Sequence, residues 1–190
     1  MLVSRVAPLS PGSALDVACG DGTNPLWLAA HGWRVTGVDW SRVGLARARA
    51  SADAARLAVD WVEADLHRWS PPVGAFDLVT IVYLHLPAAE RRPIYAAAAR
   101  AVAPGGRLLV VGHDRTNLAE GVGGPQDPGV LFTAIDVANE LPARETDWEI
   151  EEARAVRRFV PPERGPIDAV LHARHRQRVS VPRNGSASAA

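Results

Sequence analysis

Short apolar runs alternate along the chain with alanine-rich stretches, and this alternation limits the possible folds more than any other feature. Five such runs, each bounded by glycine, proline or polar residues, lie before residue 114: 14–19, 33–38, 59–64, 76–83 and 107–112. Buried strands that alternate with helical stretches are typical of repeated βα units around a parallel sheet. The sequence therefore predicts a single α/β domain with a doubly wound, mostly parallel central sheet.

The helical stretches between these runs have recognisable start and stop signals. Ser41 is placed to cap one helix, and Thr133 with Asp136 three residues later forms the pattern of a capping box. The segment 66–75 contains two prolines and is too short for a full helix, and a long polar loop spans 114–131. The predicted helices are 24–31, 41–57, 88–102 and 133–141.

The remainder of the chain predicts a hairpin followed by a tail. Residues 148–159 and 167–175 are interpreted as two antiparallel strands joined by a turn at 161–163. The last residues are rich in Arg, Ser and Ala without periodicity, which favours disorder. We therefore expect one domain over 1–175 and a disordered tail over 176–190.

Composition excludes several classes of function. The chain has 190 residues and a formal net charge of +0, so a nucleic-acid partner is not favoured by a global basic field. All 21 basic residues are arginine, which excludes lysine-based covalent chemistry. Cys19 is alone, so neither an internal disulfide nor a cysteine-rich zinc site is expected. No apolar run approaches the ~18 residues of a membrane span and no signal peptide is recognisable. We expect a cytoplasmic protein; no feature specifies an oligomeric state.

Three aspartates lie in or directly after the first three predicted strands. Asp16 lies inside the first strand, ahead of a glycine turn, while Asp39 and Asp65 follow the second and third strands. The carboxyl ends of parallel strands meet at one crevice, where open α/β sheets bind ligands. A carboxylate after the second strand can accept the hydroxyls of a ribose. The pattern therefore predicts a nucleoside-containing ligand.

The glycine turn does not match a dinucleotide fingerprint. The third glycine of that fingerprint falls on Pro25, and Asp21 adds a carboxylate that would repel a pyrophosphate. Acidic residues suit a ligand that carries an ammonium and a sulfonium. The sequence therefore favours S-adenosyl-L-methionine over NAD.

With these motifs in place, the chain resembles the class I S-adenosylmethionine-dependent methyltransferases. The resemblance rests on LDVACGDGTN, WRVTGVDWS, VEADL, FDLVTIVYLHLP and APGGRLLVV and covers roughly 14–175. Within that family it is most similar to the small-molecule branch that includes tellurite-resistance-type enzymes. The resemblance implies a Rossmann-like, seven-stranded sheet of order 3-2-1-4-5-7-6, with strand seven antiparallel to its neighbours.

The resemblance also implies a cofactor site. Asp16 and the loop 18–22 would hold the methionyl end, Asp39 the ribose hydroxyls and Asp65 the adenine amino group. Trp40 and Leu66 would pack beside the adenine ring. The residues implied at the cofactor are Asp16, Ala18, Gly20, Gly22, Asp39, Trp40, Asp65, Leu66, Val82 and Tyr83.

Two departures from the family pattern carry expectations of their own. Ala18 stands where the family often has glycine, a substitution that should be tolerated if its φ is negative. Relatives carry an N-terminal helical segment that covers the cofactor, whereas about a dozen residues precede the first strand here. We therefore expect either that the start is truncated or that the cover comes from another part of the molecule.

Candidate catalytic residues follow from the need to align an acceptor and, for some acceptors, to remove a proton. His85 follows the fourth strand, and His113 and Asp114 follow the fifth; Tyr83 could orient an acceptor. No metal site is expected, since Asp114 and Asn117 lack a third matched ligand.

We therefore expect a methyltransferase that moves a methyl group from S-adenosyl-L-methionine to a small-molecule acceptor. Two alternatives stay open at this stage. One is an NAD-dependent oxidoreductase on a related fold, and the other is a catalytically degenerate protein that binds the cofactor without turnover. The sequence does not identify the acceptor.

Overall fold

The computed structural model describes residues 1–142, 148–160 and 163–176. The helices, including one short 3₁₀ segment, are α1 Leu2–Val6, α2 Thr23–Ala30, α3 Arg42–Ala55, α4 Ala88–Ala101, α5 Asn117–Glu120, the 3₁₀ turn Pro128–Val130 and α6 Ala134–Glu140. The strands are β1 Ser13–Val17, β2 Arg34–Asp39, β3 Val59–Glu63, β4 Phe76–Val82, β5 Val102–His113, β6 Trp148–Val160 and β7 Glu163–His175.

The strands form one seven-stranded sheet of order β3-β2-β1-β4-β5-β7-β6. The pairs among β1 to β5 are parallel, while β7 runs antiparallel to both β5 and β6. The predicted fold class, strand order and C-terminal hairpin are therefore confirmed. The order reverses between β1 and β4, which places the crevice of a doubly wound sheet at the carboxyl ends of these strands.

Both faces of the sheet are covered, as a parallel sheet requires. Neighbouring residues of one strand point to opposite faces, so Leu78 belongs to one apolar cluster and Val79 to the other. Leu108 and Leu109 divide between the two clusters in the same way. This double burial explains why β4 and β5 are almost continuously apolar.

Helix capping agrees with the sequence analysis. The hydroxyl of Ser41 accepts a hydrogen bond from the backbone N–H of Gly44 at the start of α3. Thr133 and Asp136 form both hydrogen bonds of a capping box at the start of α6. These local signals fix where two of the crossover helices begin.

Three features differ from the sequence prediction, and two further predicted segments lie outside the described residues. The short helix α1 was not predicted; Leu2 and Val6 are buried against one face of the sheet. The strand β5 begins at Val102 rather than at Arg107, because Val102 already pairs with Phe76, and residues 103–106 form an irregularity in the register before Arg107 pairs with Leu78. The predicted loop 114–131 contains α5 and the 3₁₀ turn. The tip of the predicted hairpin turn, 161–162, and most of the predicted tail, 177–190, lie outside the described residues.

Within the described ranges, no helix is long and apolar enough to cross a membrane.

A buried ion pair joins α4 to α6 and provides a test of the packing on that face. Arg91 donates to both carboxylate oxygens of Glu140, at 2.8 and 3.3 Å, and its guanidinium lies 5.1 Å from the ring centre of Phe132. Glu140→Ala leaves a buried guanidinium without its carboxylate, so we expect the free energy of unfolding to fall by about 3 kcal/mol in urea titrations. Arg42→Ala removes the exposed pair with Glu63 and should cost under about 1 kcal/mol. Equal losses in the two variants would contradict this account.

Candidate functional site

The loop after β1 turns sharply at the carboxyl edge of the sheet. Ala18, Gly20 and Gly22 have φ values of +59°, +57° and +84°. The condition under which alanine was expected to be tolerated, a negative φ, is not met, because Ala18 occupies a left-handed conformation that favours glycine. A Cβ on Gly20 would meet no atom within 4 Å, which leaves the backbone open to a ligand. A Cβ on Gly22 would lie 2.7 Å from the Trp61 ring, so close packing requires glycine there.

Asp39 links the loop after β1 to the start of α3 through hydrogen bonds. Its Oδ2 accepts the N–H of Gly20 and its Oδ1 accepts the N–H of Ser41, both at 2.7 Å. The carboxylate is buried at the end of β2. Each carboxylate oxygen has a second lone pair, so the group can still accept hydroxyl donors from a ligand. Sequence reasoning identified the position of Asp39 but not that it also ties two backbone segments together.

Asp16 is the most perturbed carboxyl group at the edge. Burial raises its pKa to about 7, while hydrogen bonds from Thr80 and Asn24 act in the opposite direction and the nearby charge of Asp39 raises it further. The hydroxyl of Thr80 donates to Oδ1. Oδ2 is buried and accepts no hydrogen bond of good geometry from the described residues. A buried carboxylate oxygen without a donor is a ready acceptor for a cationic ligand group.

A cavity of about 260 Å³ lies beside these carboxylates, near the lower end of the ~300 Å³ typical of small-ligand pockets. Its walls include Trp40, Asp65 and Leu66, three of the residues implied at the adenine by the family resemblance. The further lining residues, which the sequence analysis missed, are His67, Leu86 and Ile94. Asp65 accepts the N–H of His67 at 3.0 Å and remains largely exposed at the cavity rim. An apolar slot with one carboxylate at its rim suits a flat ring that bears an amino group.

The two residues implied at the end of β4 differ in exposure. Val82 is partly buried against the core, whereas Tyr83 is 37% exposed and has a φ of +60°. A left-handed backbone at a non-glycine residue costs free energy and is found disproportionately at functional sites. The crevice therefore presents Tyr83 rather than Val82.

Two of the three candidate catalytic residues have structural partners in this arrangement. His85 accepts the backbone N–H of His113 through Nε2 at 2.9 Å, and burial lowers its pKa to about 4 despite a hydrogen bond to the Tyr83 carbonyl. Both ring nitrogens are thus engaged, and the geometry does not support His85 as a proton acceptor. Asp114 is buried and accepts the N–H and the hydroxyl of Thr116, which fits a loop-capping role rather than catalysis.

His113 belongs to a cluster that sequence reasoning did not assemble. Its Nδ1 lies 3.4 Å from Oδ1 of Asp168, a fully buried carboxylate on β7. Oδ2 of Asp168 accepts the Tyr83 hydroxyl at 2.9 Å and lies 2.7 Å from Nε of Arg158. The signal in the sequence was a single aspartate inside the apolar stretch 167–173 of β7. Among the described residues, no group of three or more His, Cys, Asp or Glu side chains could hold a metal ion.

The edge of the sheet thus has two neighbouring parts. One is built from the loop after β1 with Asp16, Asp39 and the cavity, and the other from the ends of β4, β5 and β7. Together with the strand order, the first part defines a Rossmann-like domain built to bind a nucleoside.

The comparisons with known proteins agree with this class. Residues 14–106 match the family of methyltransferase domains. The demethylmenaquinone methyltransferase of Thermus thermophilus is 39% identical over 54% of this chain and 47% of its own length. A ubiquinone biosynthesis O-methyltransferase of Aromatoleum aromaticum is 33% identical, with coverages of 56% and 46%. The ribosomal RNA small subunit methyltransferase C of Alcanivorax borkumensis is 32% identical, with coverages of 54% and 33%. The chain spans between a third and a half of the length of these relatives.

A solved structure extends the likeness to nearly the whole chain. TehB from Haemophilus influenzae superposes with a TM-score of 0.71 at 18% identity, over 92% of this chain and 61% of that one. At this identity the likeness concerns the fold. The domain match over residues 14–106, on a sheet of this order, supports a class I S-adenosylmethionine-dependent methyltransferase.

Proposed function

We propose that this chain transfers the methyl group of S-adenosyl-L-methionine to a small-molecule acceptor. The observation that carries the proposal is the buried Asp16 carboxyl group, whose Oδ2 accepts no hydrogen bond of good geometry from the described residues, beside the open loop 18–22 and the cavity of about 260 Å³. These features fit the cofactor's ammonium group and its adenine ring. When bound, the cofactor supplies a methyl group that its positive sulfur has already activated.

Each residue of the donor side has a role in this proposal. Asp16 takes the ammonium of the methionyl end, and Asp39 takes the ribose hydroxyls while it holds the loop after β1 in place. Trp40 and Leu66 pack beside the adenine ring, and Asp65 accepts its amino group. The protein then contributes orientation and exclusion of water, which is most of what such a transfer needs.

A small molecule is the acceptor we favour. The demethylmenaquinone methyltransferase and the ubiquinone biosynthesis O-methyltransferase among the relatives support this choice, whereas the ribosomal RNA methyltransferase keeps RNA as an outcome of the test. The formal net charge of +0 gives no global attraction to nucleic acid. A cytoplasmic location stays a prediction from the sequence.

Calorimetric titration with S-adenosylhomocysteine tests the donor side, with NAD⁺ in a parallel titration. We expect micromolar binding of S-adenosylhomocysteine and no binding of NAD⁺. Asp21 would repel the pyrophosphate of NAD⁺, and Pro25 takes the place of the third glycine of a dinucleotide fingerprint. Binding of NAD⁺ alone would overturn the proposal in favour of an oxidoreductase.

Methyl transfer from labelled cofactor to phenols, thiols, metalloid oxyanions and RNA then tests the acceptor class. We expect label in a small molecule. Binding of S-adenosylhomocysteine without transfer to any acceptor would favour a protein that binds the cofactor without turnover. Transfer to RNA alone would replace the small-molecule acceptor.

A further inference from the structure

Trp61 lies on β3, directly opposite Gly37 of β2 in the parallel register. A Cβ built on Gly37 would lie 2.8 Å from Cζ3 and 2.9 Å from Cε3 of the indole. A glycine inside a strand commonly marks such a close approach of another group. The benzene part of the Trp61 ring therefore fills the space that a side chain on Gly37 would take.

The same ring reaches the loop after β1. A Cβ built on Gly22, the residue that precedes α2, would lie 2.7 Å from Cη2 of Trp61 and 2.8 Å from the Cβ of Ala48 on α3. Cη2 is bonded to Cζ3, so one end of the indole packs against both Gly37 and Gly22. Trp61 therefore supports the end of the loop 18–22 from the side of β3.

The middle of this loop is open. A Cβ on Gly20 would meet no atom within 4 Å, and Asp39 holds the loop there through the hydrogen bond from the Gly20 N–H to Oδ2. Ala18 has a φ of +59°, which costs free energy in a residue with a side chain. A strained turn keeps its conformation only where the surrounding structure holds it. The packing at Gly22 is one such support.

We propose that Trp61 is a positioning residue for the methyl donor: its ring holds the loop 18–22 in the conformation that receives the methionyl part of S-adenosyl-L-methionine. The inference rests on the proposed function, in which this loop and Asp16 hold that part of the donor. Trp61 is not among the described residues that line the cavity of about 260 Å³. Its effect on binding is therefore expected to act through the loop.

The physical basis is the population of the binding conformation. A ligand binds only those molecules whose loop has the required conformation, and its apparent affinity falls with that fraction. A smaller side chain in place of Trp61 would remove the packing at Gly22 and let the strained turn relax. The adenine side of the site, with Trp40, Asp65 and Leu66, would keep its own contacts.

Calorimetric titration of Trp61→Leu with S-adenosylhomocysteine and with adenosine tests this role. We expect the affinity for S-adenosylhomocysteine to fall about tenfold or more and the affinity for adenosine to change less than about threefold, because adenosine lacks the methionyl part. If the unaltered protein binds S-adenosylhomocysteine, an unchanged affinity in Trp61→Leu, or equal losses for both ligands, would overturn this inference and leave the proposed function standing. Failure of the unaltered protein to bind would refute both.

Trp33→Leu is the matched control. Trp33 is 5% exposed and directly precedes β2, at the edge of the sheet opposite the loop 18–22. We expect both leucine variants to melt at a lower temperature, but only Trp61→Leu to bind S-adenosylhomocysteine more weakly. Equal losses of affinity in the two variants would mean a general structural effect and would contradict the role of Trp61.

Trp61→Phe is the conservative variant, and it also decides the question if Trp61→Leu does not fold. Phenylalanine keeps an aromatic ring beside Gly37 but is too short to reach Gly22. We expect a loss of affinity for S-adenosylhomocysteine between those of the unaltered protein and Trp61→Leu. Full affinity in Trp61→Phe would show that the contact with Gly22 is not needed, which would overturn the inference.

A double substitution tests the contact between the ring and β2. Gly37→Ala places a methyl group 2.8 Å from Cζ3 of Trp61, so the ring has to move, whereas Sγ of Cys19, at 3.1 Å, needs to shift only slightly. We expect Gly37→Ala to weaken the binding of S-adenosylhomocysteine about fivefold or more by itself, and less than about twofold when it is added to Trp61→Leu. Equal factors in the two backgrounds would overturn the link between the ring and the loop.

Discussion

Asp16→Asn is expected to weaken the binding of S-adenosylhomocysteine about 100-fold at pH 8 while leaving the protein at least as resistant to heat. The ligand's ammonium would lose a buried, charged acceptor, a loss of about 3 kcal/mol. Asparagine keeps an oxygen for Thr80 and removes a carboxylate whose charged form is disfavoured by burial. Calorimetry and thermal unfolding of the same samples measure the two effects. Lower binding together with a lower melting temperature would indicate a structural role instead.

The pH dependence of binding follows from the same group. Burial raises the pKa of Asp16 to about 7, and a cationic ligand requires the ionised form. The fraction ionised falls from about nine-tenths at pH 8 to about one-tenth at pH 6, so the affinity should fall about tenfold over this range. In Asp16→Asn the affinity should depend much less on pH. A flat profile in the unaltered protein would contradict the placement of the ammonium.

The unliganded protein should show the opposite trend in stability. An aspartate in the unfolded chain has an ordinary pKa of 3.8, so between pH 4 and pH 7 the folded protein retains a proton that the unfolded chain has released. The contribution of Asp16 to the free energy of unfolding therefore decreases as pH rises through this window. The difference between the unaltered protein and Asp16→Asn, measured by urea unfolding across this range, isolates that contribution.

Asp39→Ala is the second substitution with a large expected effect. The ribose hydroxyls would lose their charged acceptor, and the N–H groups of Gly20 and Ser41 would lose theirs. We expect S-adenosylhomocysteine to bind about 10- to 100-fold more weakly, which corresponds to the ~1–3 kcal/mol of such unpaired groups. Calorimetry measures this directly, and unchanged affinity would refute the placement of the ribose.

Glu63→Ala is the matched control for that substitution. Glu63 is the direct partner of Asp39 in the register of β2 and β3, so its replacement removes one negative charge from the same edge. Its side chain is 40% exposed and pairs with Arg42 on the surface. We expect its effect on affinity to stay within about twofold, since exposed pairs contribute little.

The sequence predicted the fold well, and it placed the strand-end aspartates at one edge of the sheet, because both depend on local patterns. Strand-length apolar runs, a glycine turn and strand-end aspartates can be recognised without knowing which residues meet. The conformation of Ala18 could not be predicted in this way, since its φ is set by the turn and not by alanine's own preference. Nor could the lining by His67, Leu86 and Ile94, which come together only when the loops after β3 and β4 pack with α4.

The residues proposed to lie near the acceptor show more clearly what the sequence could not predict. His85 and His113 look equivalent in the sequence, as histidines at the ends of neighbouring strands. What separates them is the direction of each ring, since one accepts a backbone N–H and the other faces Asp168. Asp168 lies far along the chain from His113, and their pairing depends on the antiparallel register of β7. Such long-range pairings cannot be obtained from local sequence patterns.

The position of residue 106 has a consequence for how enzymes of this design can be altered. The matched methyltransferase segment ends there and contains every residue proposed to lie around the donor, whereas His113, Arg158 and Asp168 all come later. The two stretches of the chain are joined by the pairing of β4 with β5, by the ion pair of Arg91 with Glu140 and by the hydrogen bond from Tyr83 to Asp168. Under the proposed function, replacing the segment after the fourth strand and its helix is expected to change the acceptor and to leave the donor site in place.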